Sequence, residues 1–179
     1  RAVALDAFVV IVNVKNPVEN ITLDQLRGIY TGKIKNWQEL GGAPVDIRAF
    51  RRERNSGSQE LMEELVMKGT PMIPMPDMTL WGMMGPVNAL RNNPAGIGYS
   101  VYFYFVFMFP EKNIRMMAIN GVKPDAGTIG DRTYPLTAEV YAVVRKGMPV
   151  DNPAVMLRDW MLTKEGKAVI AETGYVPVK

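Results

Sequence analysis

The strongest hydrophobic signal lies at the beginning of the chain. Leu5-Asp-Ala-Phe-Val-Val-Ile-Val-Asn13 is almost continuously apolar, rich in Val and Ile, and closed by Asn13 and Pro17. That pattern predicts a strand buried on both faces. Thr22-Leu-Asp-Gln25 then reads as a capping box opening a helix with Leu26, Ile29 and Tyr30 on one face, which Gly32 ends. Asn36–Leu40 predicts a short helical turn stopped by Gly41-Gly42, and Val45–Phe50 a second strand. Ser56–Met67 predicts an amphipathic helix with Leu61, Met62, Leu65 and Val66 on its core face. The three prolines within 70–78 predict an extended connector, and 80–90 a helix despite Gly82, Gly85 and Pro86. Further strands are expected at 114–119 and 136–145, with Asn120-Gly121 as a turn. Helices are expected from Pro153 to Leu162 and from Thr163 to Gly174. The aromatic run Val101–Phe109 reads equally well as strand or helix. It is expected to be buried against the sheet, the alternative being an exposed apolar patch. Strands alternating with helices make this an α/β protein.

The size of the chain, 179 residues, suits one domain or one and a half small lobes sharing a core. With 47% hydrophobic and 22% charged residues it has the composition of a folded globular protein. The net charge of +3 comes without any basic block, so nucleic acid is not an expected partner. Histidine and cysteine are both absent. This removes thiol catalysis, His-based triads and the usual zinc sites, and no metal or other cofactor is implied. The chain shows no initiator Met and no secretory signal, as expected of a mature or trimmed polypeptide. The longest apolar run, 101–109, is far shorter than the ~20 residues of a membrane span, so no membrane insertion is expected.

The chemistry concentrates in Phe50-Arg-Arg-Glu-Arg-Asn-Ser-Gly-Ser-Gln59, which follows an expected strand and opens an expected helix. The first amides of a helix lack intrahelical acceptors and sit at the positive end of its dipole, so an anion docked there meets several donors. Gly57 permits close approach, Ser56 and Ser58 add hydroxyls, and Arg52 supplies a fork suited to an oxyanion. Arg51 and Arg54 add positive potential. The same residues also read as an ordinary helix cap beside a solvated arginine cluster.

Arg52-x-x-x-Ser56-Gly57-Ser58-Gln59 resembles the Arg…Ser-Gly-Thr loop of the periplasmic phosphate-binding proteins that serve phosphate ABC transporters. The segments Leu5–Asn13, Thr22–Gly42, Gly96-Ile-Gly-Tyr99, Tyr134-Pro-Leu136 and Gly166…Gly174-Tyr-Val-Pro177 are similar to that family in the same order. The resemblance implies a type II periplasmic-binding-protein fold with two lobes closing over an anion. Residues 14–134 would form the lobe bearing the anion loop, and 1–13 with 135–179 part of the other. It implies a non-catalytic substrate-binding component, periplasmic or extracytoplasmic, with a membrane permease as partner. Arg52, Ser56, Gly57 and Ser58 would grip phosphate or a similar tetrahedral oxyanion. Lobe opening at the crossings near 13–14 and 134–136 would release it. The alternative is an interaction or sensing module on the same lobe with no bound solute.

Three points qualify the resemblance. Ser58 stands where the family usually has Thr, and Glu53 is the nearest candidate for an acidic partner of the arginine. The family's opening strand–helix stretch, with a second hydroxyl-rich loop and an acidic residue, has no counterpart here. Hydrogen bonds to charged groups contribute about 1.5–3 kcal/mol each. Lacking several of them, this chain alone is expected to bind phosphate weakly or not detectably. Trp37 is expected in the core rather than at a ligand, as are Trp81 and Trp160, and the 13 methionines read as packing. Glu60, Glu63 and Glu64 read as a solvated helix face. No nucleophile elbow, P-loop or dinucleotide fingerprint occurs, and no catalytic residue is expected.

Overall fold

The computed structural model describes residues 1–179 apart from the side chain of Pro76. The chain runs through β1 (Ala2–Asn13), β2 (Asn20–Ile21), α1 (Leu23–Tyr30), a 3₁₀ turn (Trp37–Leu40), β3 (Arg48–Ala49) and β4 (Arg51–Arg52). It continues with α2 (Gly57–Leu61), which widens into a π turn (Met62–Met67), then β5 (Thr79–Leu80), α3 (Gly85–Leu90) and β6 (Gly96–Val101). An aromatic π turn (Tyr104–Met108), β7 (Ile114–Met116), β8 (Ala118–Ile119) and α4 (Ala126–Gly130) follow. The remaining elements are β9 (Thr137–Tyr141), α5 (Pro153–Trp160), α6 (Lys164–Thr173) and β10 (Val176–Pro177).

β1 is the axis of the molecule, and from Val3 onward every residue of it is buried. The first half pairs antiparallel with β9, from Ala2↔Tyr141 to Ala7↔Thr137, and with β10 at Ala4 and Leu5. The second half pairs antiparallel with β6, from Phe8↔Val101 to Val12↔Ile97, and with β7 from Ile11↔Met116 to Asn13↔Ile114. β6 in turn carries β3 in parallel. The partners of β1 therefore change between Ala7 and Phe8. The chain returns to that point at 134–136: Tyr134 Oη donates to the Phe8 carbonyl at 3.0 Å, and the Phe8 amide donates to the Leu136 carbonyl at 2.9 Å. Beside it the Asp6 carboxylate accepts from the amides of Ala7 (2.8 Å) and Phe103 (3.0 Å), tying β1 to the start of the aromatic turn.

The main core forms between β1, β6 and α1, where Phe8, Ile11, Leu26, Tyr30, Ile97 and Tyr99 are all buried. The capping box of α1 is formed, with Thr22 Oγ1 accepting from the Gln25 amide and Gln25 Oε1 accepting from the Thr22 amide. Trp37 is buried as expected and donates its Nε1–H to the Ala95 carbonyl.

Four expectations are corrected. The helix expected over 80–90 starts only at Gly85, because Thr79–Leu80 pairs in parallel with Arg51–Arg52. Trp81, next in the chain, is 78% exposed rather than in the core. Trp160 is also exposed, since α5 buries only Val155. The aromatic run is helical and splits its faces: Tyr102 and Phe105 are buried, while Phe107, Met108 and Phe109 are exposed. No helix among the described residues is long and apolar enough to cross a membrane.

Candidate anion-binding site

β4 delivers Arg52 and α2 receives the chain four residues later, with the corner closed by the Ser56 amide donating to the Glu53 carbonyl at 3.1 Å. Ser56 is extended (φ −90°, ψ 133°) and occupies the N-cap without spending its hydroxyl on the helix. Its Oγ lies instead 2.9 Å from Ser58 Oγ, and Ser58 Oγ lies 3.5 Å from Arg52 Nη1. The four residues singled out in the sequence are thus brought together: three polar side chains in a row beside the first amides of a helix. Arg52, Ser56 and Ser58 are 3%, 7% and 3% exposed, so these donors are shielded from bulk water. The amides of Gly57 and Ser58 have no acceptor among the described residues, as expected in a first helical turn. A Cβ placed on Gly57 would meet nothing within 4 Å, so the space over this turn is open.

The guanidinium is held by its neighbour. Arg52 Nε and Nη2 each donate to a Glu53 carboxylate oxygen at 3.0 Å, a bidentate pair. The hydrogen bonds from Arg52 keep the Glu53 carboxyl below its ordinary value of 4.5. This pairing fixes the plane of the fork and leaves Nη1 facing Ser58 Oγ, with Met83 Sδ 3.4 Å away. With the charge of Arg52 largely balanced, an incoming oxyanion would be recognised mainly by oriented N–H and O–H groups rather than by free charge.

Beneath the loop lies a second set of contacts that sequence reasoning did not find. The Arg52 amide donates to Tyr99 Oη at 2.9 Å, and Tyr99 Oη donates to Gln59 Oε1. Gln59 Nε2 donates to Glu63 Oε1 at 2.8 Å. Gln59 and Tyr99 are fully buried, and burial pushes the Tyr99 hydroxyl up to about 12, so it stays protonated and available as a donor. Both residues lie within the segments 52–59 and 96–99 that carry the resemblance, but no sequence signal marks a hydrogen bond across 40 positions. Of the flanking arginines, Arg54 is exposed. Arg51 turns to the other side of β4, where with Glu63, Met67 and Thr70 it lines a separate cavity of ≈ 280 Å³.

The chain is 28% identical over 177 residues to the phosphate-binding protein PstS of Bacillus subtilis, covering 98% of this chain and 56% of that protein. It is likewise 28% identical to PstS of Staphylococcus aureus, covering 97% and 54%. It therefore spans little more than half the length of these curated relatives. Its fold superposes with a TM-score of 0.80 on an ABC-type phosphate transport receptor from Vibrio cholerae, at 23% identity, covering 98% of this chain and 71% of that one. A substrate-binding protein from Clostridium perfringens with bound phosphate gives the same TM-score at 24% identity, covering 100% and 71%. The expected α/β fold, present over part of its relatives' length, is the one observed. Residues 1–165 match the PBP superfamily domain, and the chain belongs to that family.

Proposed function

We propose that this chain binds inorganic phosphate, or a closely similar tetrahedral oxyanion, as part of the substrate-binding component of an ABC transporter. The observation that carries the reading is the row of buried donors Arg52 Nη1, Ser58 Oγ and Ser56 Oγ beside the unpaired amides of Gly57 and Ser58. The oxygens of a small tetrahedral anion that face this loop would meet hydroxyls, amides and the guanidinium edge. The relatives named for phosphate binding favour phosphate among such anions. In this reading the protein is not an enzyme, works on the extracytoplasmic side and hands its anion to a membrane permease. Residues 14–134 would form the lobe that carries the loop, and 1–13 with 135–179 part of the other lobe. β1 pairs with β6 and β7 through Phe8–Asn13 and with β9 and β10 through Ala2–Ala7.

Donors from one side only should give weak binding, since each missing hydrogen bond to charge forfeits roughly 1.5–3 kcal/mol. The test is a phosphate titration at low salt, followed through the amide resonances of Gly57 and Ser58. The wild type should respond with an affinity near millimolar, and Arg52→Ala should not respond. Because Arg52 is buried and its loss risks unfolding, Gly57→Ala is the companion variant. Its backbone is unstrained and its added methyl enters open space, so stability should hold while phosphate binding weakens. Equal phosphate responses in wild type and both variants would sink the proposal, and micromolar affinity would refute the one-sided site.

A further inference from the structure

We propose that Gln59 and Tyr99 are positioning residues that set the distance between Arg52 and the 56–58 loop, with the Gln59 amide oriented for this task by Glu63. The inference deepens the anion-binding reading and rests on it. Three elements meet at this point: β4 contributes Arg52, α2 with its N-cap contributes the loop hydroxyls and Gln59, and β6 contributes Tyr99. The Ser56–Glu53 backbone bond closes the turn between Arg52 and the loop, but nothing in the local chain fixes β6 against them, because Tyr99 lies 47 residues from Arg52 and 40 from Gln59. The phenol hydroxyl links them, accepting from the Arg52 amide and donating to Gln59 Oε1. A hydroxyl can do both only if the next group is an acceptor. The donation from Gln59 Nε2 to Glu63 Oε1 ensures this, since it turns the amide oxygen toward Tyr99. A flipped amide would place N–H groups against the phenol and leave the Glu63 carboxylate facing an oxygen.

Burial makes the arrangement stringent. Gln59, Tyr99 and Arg52 are 0%, 1% and 3% exposed, so water cannot replace a lost partner without the elements moving apart. The Gln59 amide touches Tyr99 on β6, Glu63 in the next turn of its own helix and Met72 Sδ at 3.5 Å, and the charges that act on the Tyr99 hydroxyl are Arg51, Arg52 and Glu63. Tyr30 on α1 packs edge-on against Tyr99. The chemistry at position 59 is therefore specified: a neutral group with one acceptor and one donor on opposite sides.

Gln59→Glu tests this with a pH profile that a purely structural role would not produce. A protonated carboxyl reproduces the acceptor–donor pair, whereas a carboxylate offers no donor to Glu63 and repels it. Next to Glu63 and out of water, the new carboxyl should titrate above the usual range. The Gly57 and Ser58 amide resonances of the variant should depart from wild-type positions at pH 8 and return toward them at pH 5. Phosphate affinity, as the ratio of variant to wild type at each pH, should be down about tenfold at pH 8, equivalent to ~1.4 kcal/mol, and recover on acidification. Taking the ratio cancels the ionisation of phosphate itself. Tyr99→Phe, which preserves volume, is the second variant: it should lose exchange protection at the Arg52 amide and bind about tenfold more weakly at every pH.

Loop resonances and affinity ratios that ignore pH in Gln59→Glu, together with wild-type affinity in Tyr99→Phe, would overturn the positioning role. If Arg52→Ala still abolishes the response, the anion site itself stands. If wild type and Arg52→Ala respond alike, the anion site falls, and the positioning role falls with it.

Discussion

At the residue scale the site depends on how a buried cation is tolerated. Arg52 is 3% exposed, and an unpaired charge at that depth would be strongly unfavourable. Its neighbour Glu53 removes the problem within two consecutive residues, through a bidentate pair that also aims Nη1 at the loop. The pair has a pH signature. Because the folded-state pKa of Glu53 is depressed, its contribution is complete above the unfolded value of 4.5 and disappears as pH falls through the lower folded value. Glu53→Gln should cost about 1.5–3 kcal/mol at pH 7, the range for a hydrogen bond to charge. The gap between wild type and variant should then close as unfolding is measured toward pH 3. A gap that stays constant or widens on acidification would show that Glu53 does not hold Arg52. The arginine, serines and glycine of the site were legible because they sit together in sequence at a strand-to-helix corner. Gln59 and Tyr99 were not, because their link is made only when α2 packs on β6.

At the element scale the sequence was most informative where local chemistry decides. The capping box at Thr22, the N-cap at Ser56 and the stop at Gly174 were all readable, since each is settled within a few residues. The stop at Gly174 is instructive: its φ of +98° is a conformation that residues with a side chain seldom adopt, and a Cβ there would lie only 2.7–2.8 Å from the Phe107 ring. Gly174→Ala should therefore lose at least about 1–2 kcal/mol in thermal or denaturant unfolding, the usual penalty for an L-residue in left-handed backbone, plus whatever displacing the Phe107 ring costs. An unchanged midpoint would mean that α6 can end in another way. The failures came where a partner far along the chain decides. Thr79–Leu80 is a strand only because Arg51–Arg52 lies beside it, and Trp81 is left facing outward as a result. The aromatic run was ambiguous because one of its faces is buried and the other is not.

At the scale of the whole molecule, burial is distributed unevenly. β1, β6 and α1 share a dense core, whereas α5 buries only Val155 and α6 only Gly166. Val143 and Val150 are 85% and 84% exposed, and Met156, Leu157 and Val169 also face outward. Regions with few buried apolar contacts open at lower free energy than the core. Amide hydrogen exchange should accordingly be fastest, among the helices and long strands, in 153–173 and slowest in β1 and β6. Equal protection across these elements would contradict the burial pattern. Composition and periodicity could announce an α/β chain with a buried first strand, but not that this strand is shared.

That sharing carries a constraint of parity. Successive residues of a strand face opposite ways. A single residue gained or lost between Ala7 and Phe8 would leave the pairing of each half intact, yet turn one half of the molecule over relative to the other. A change of two residues would keep every side chain on its own side. The mutual orientation of the two halves is thus written into whether the count along one strand is odd or even.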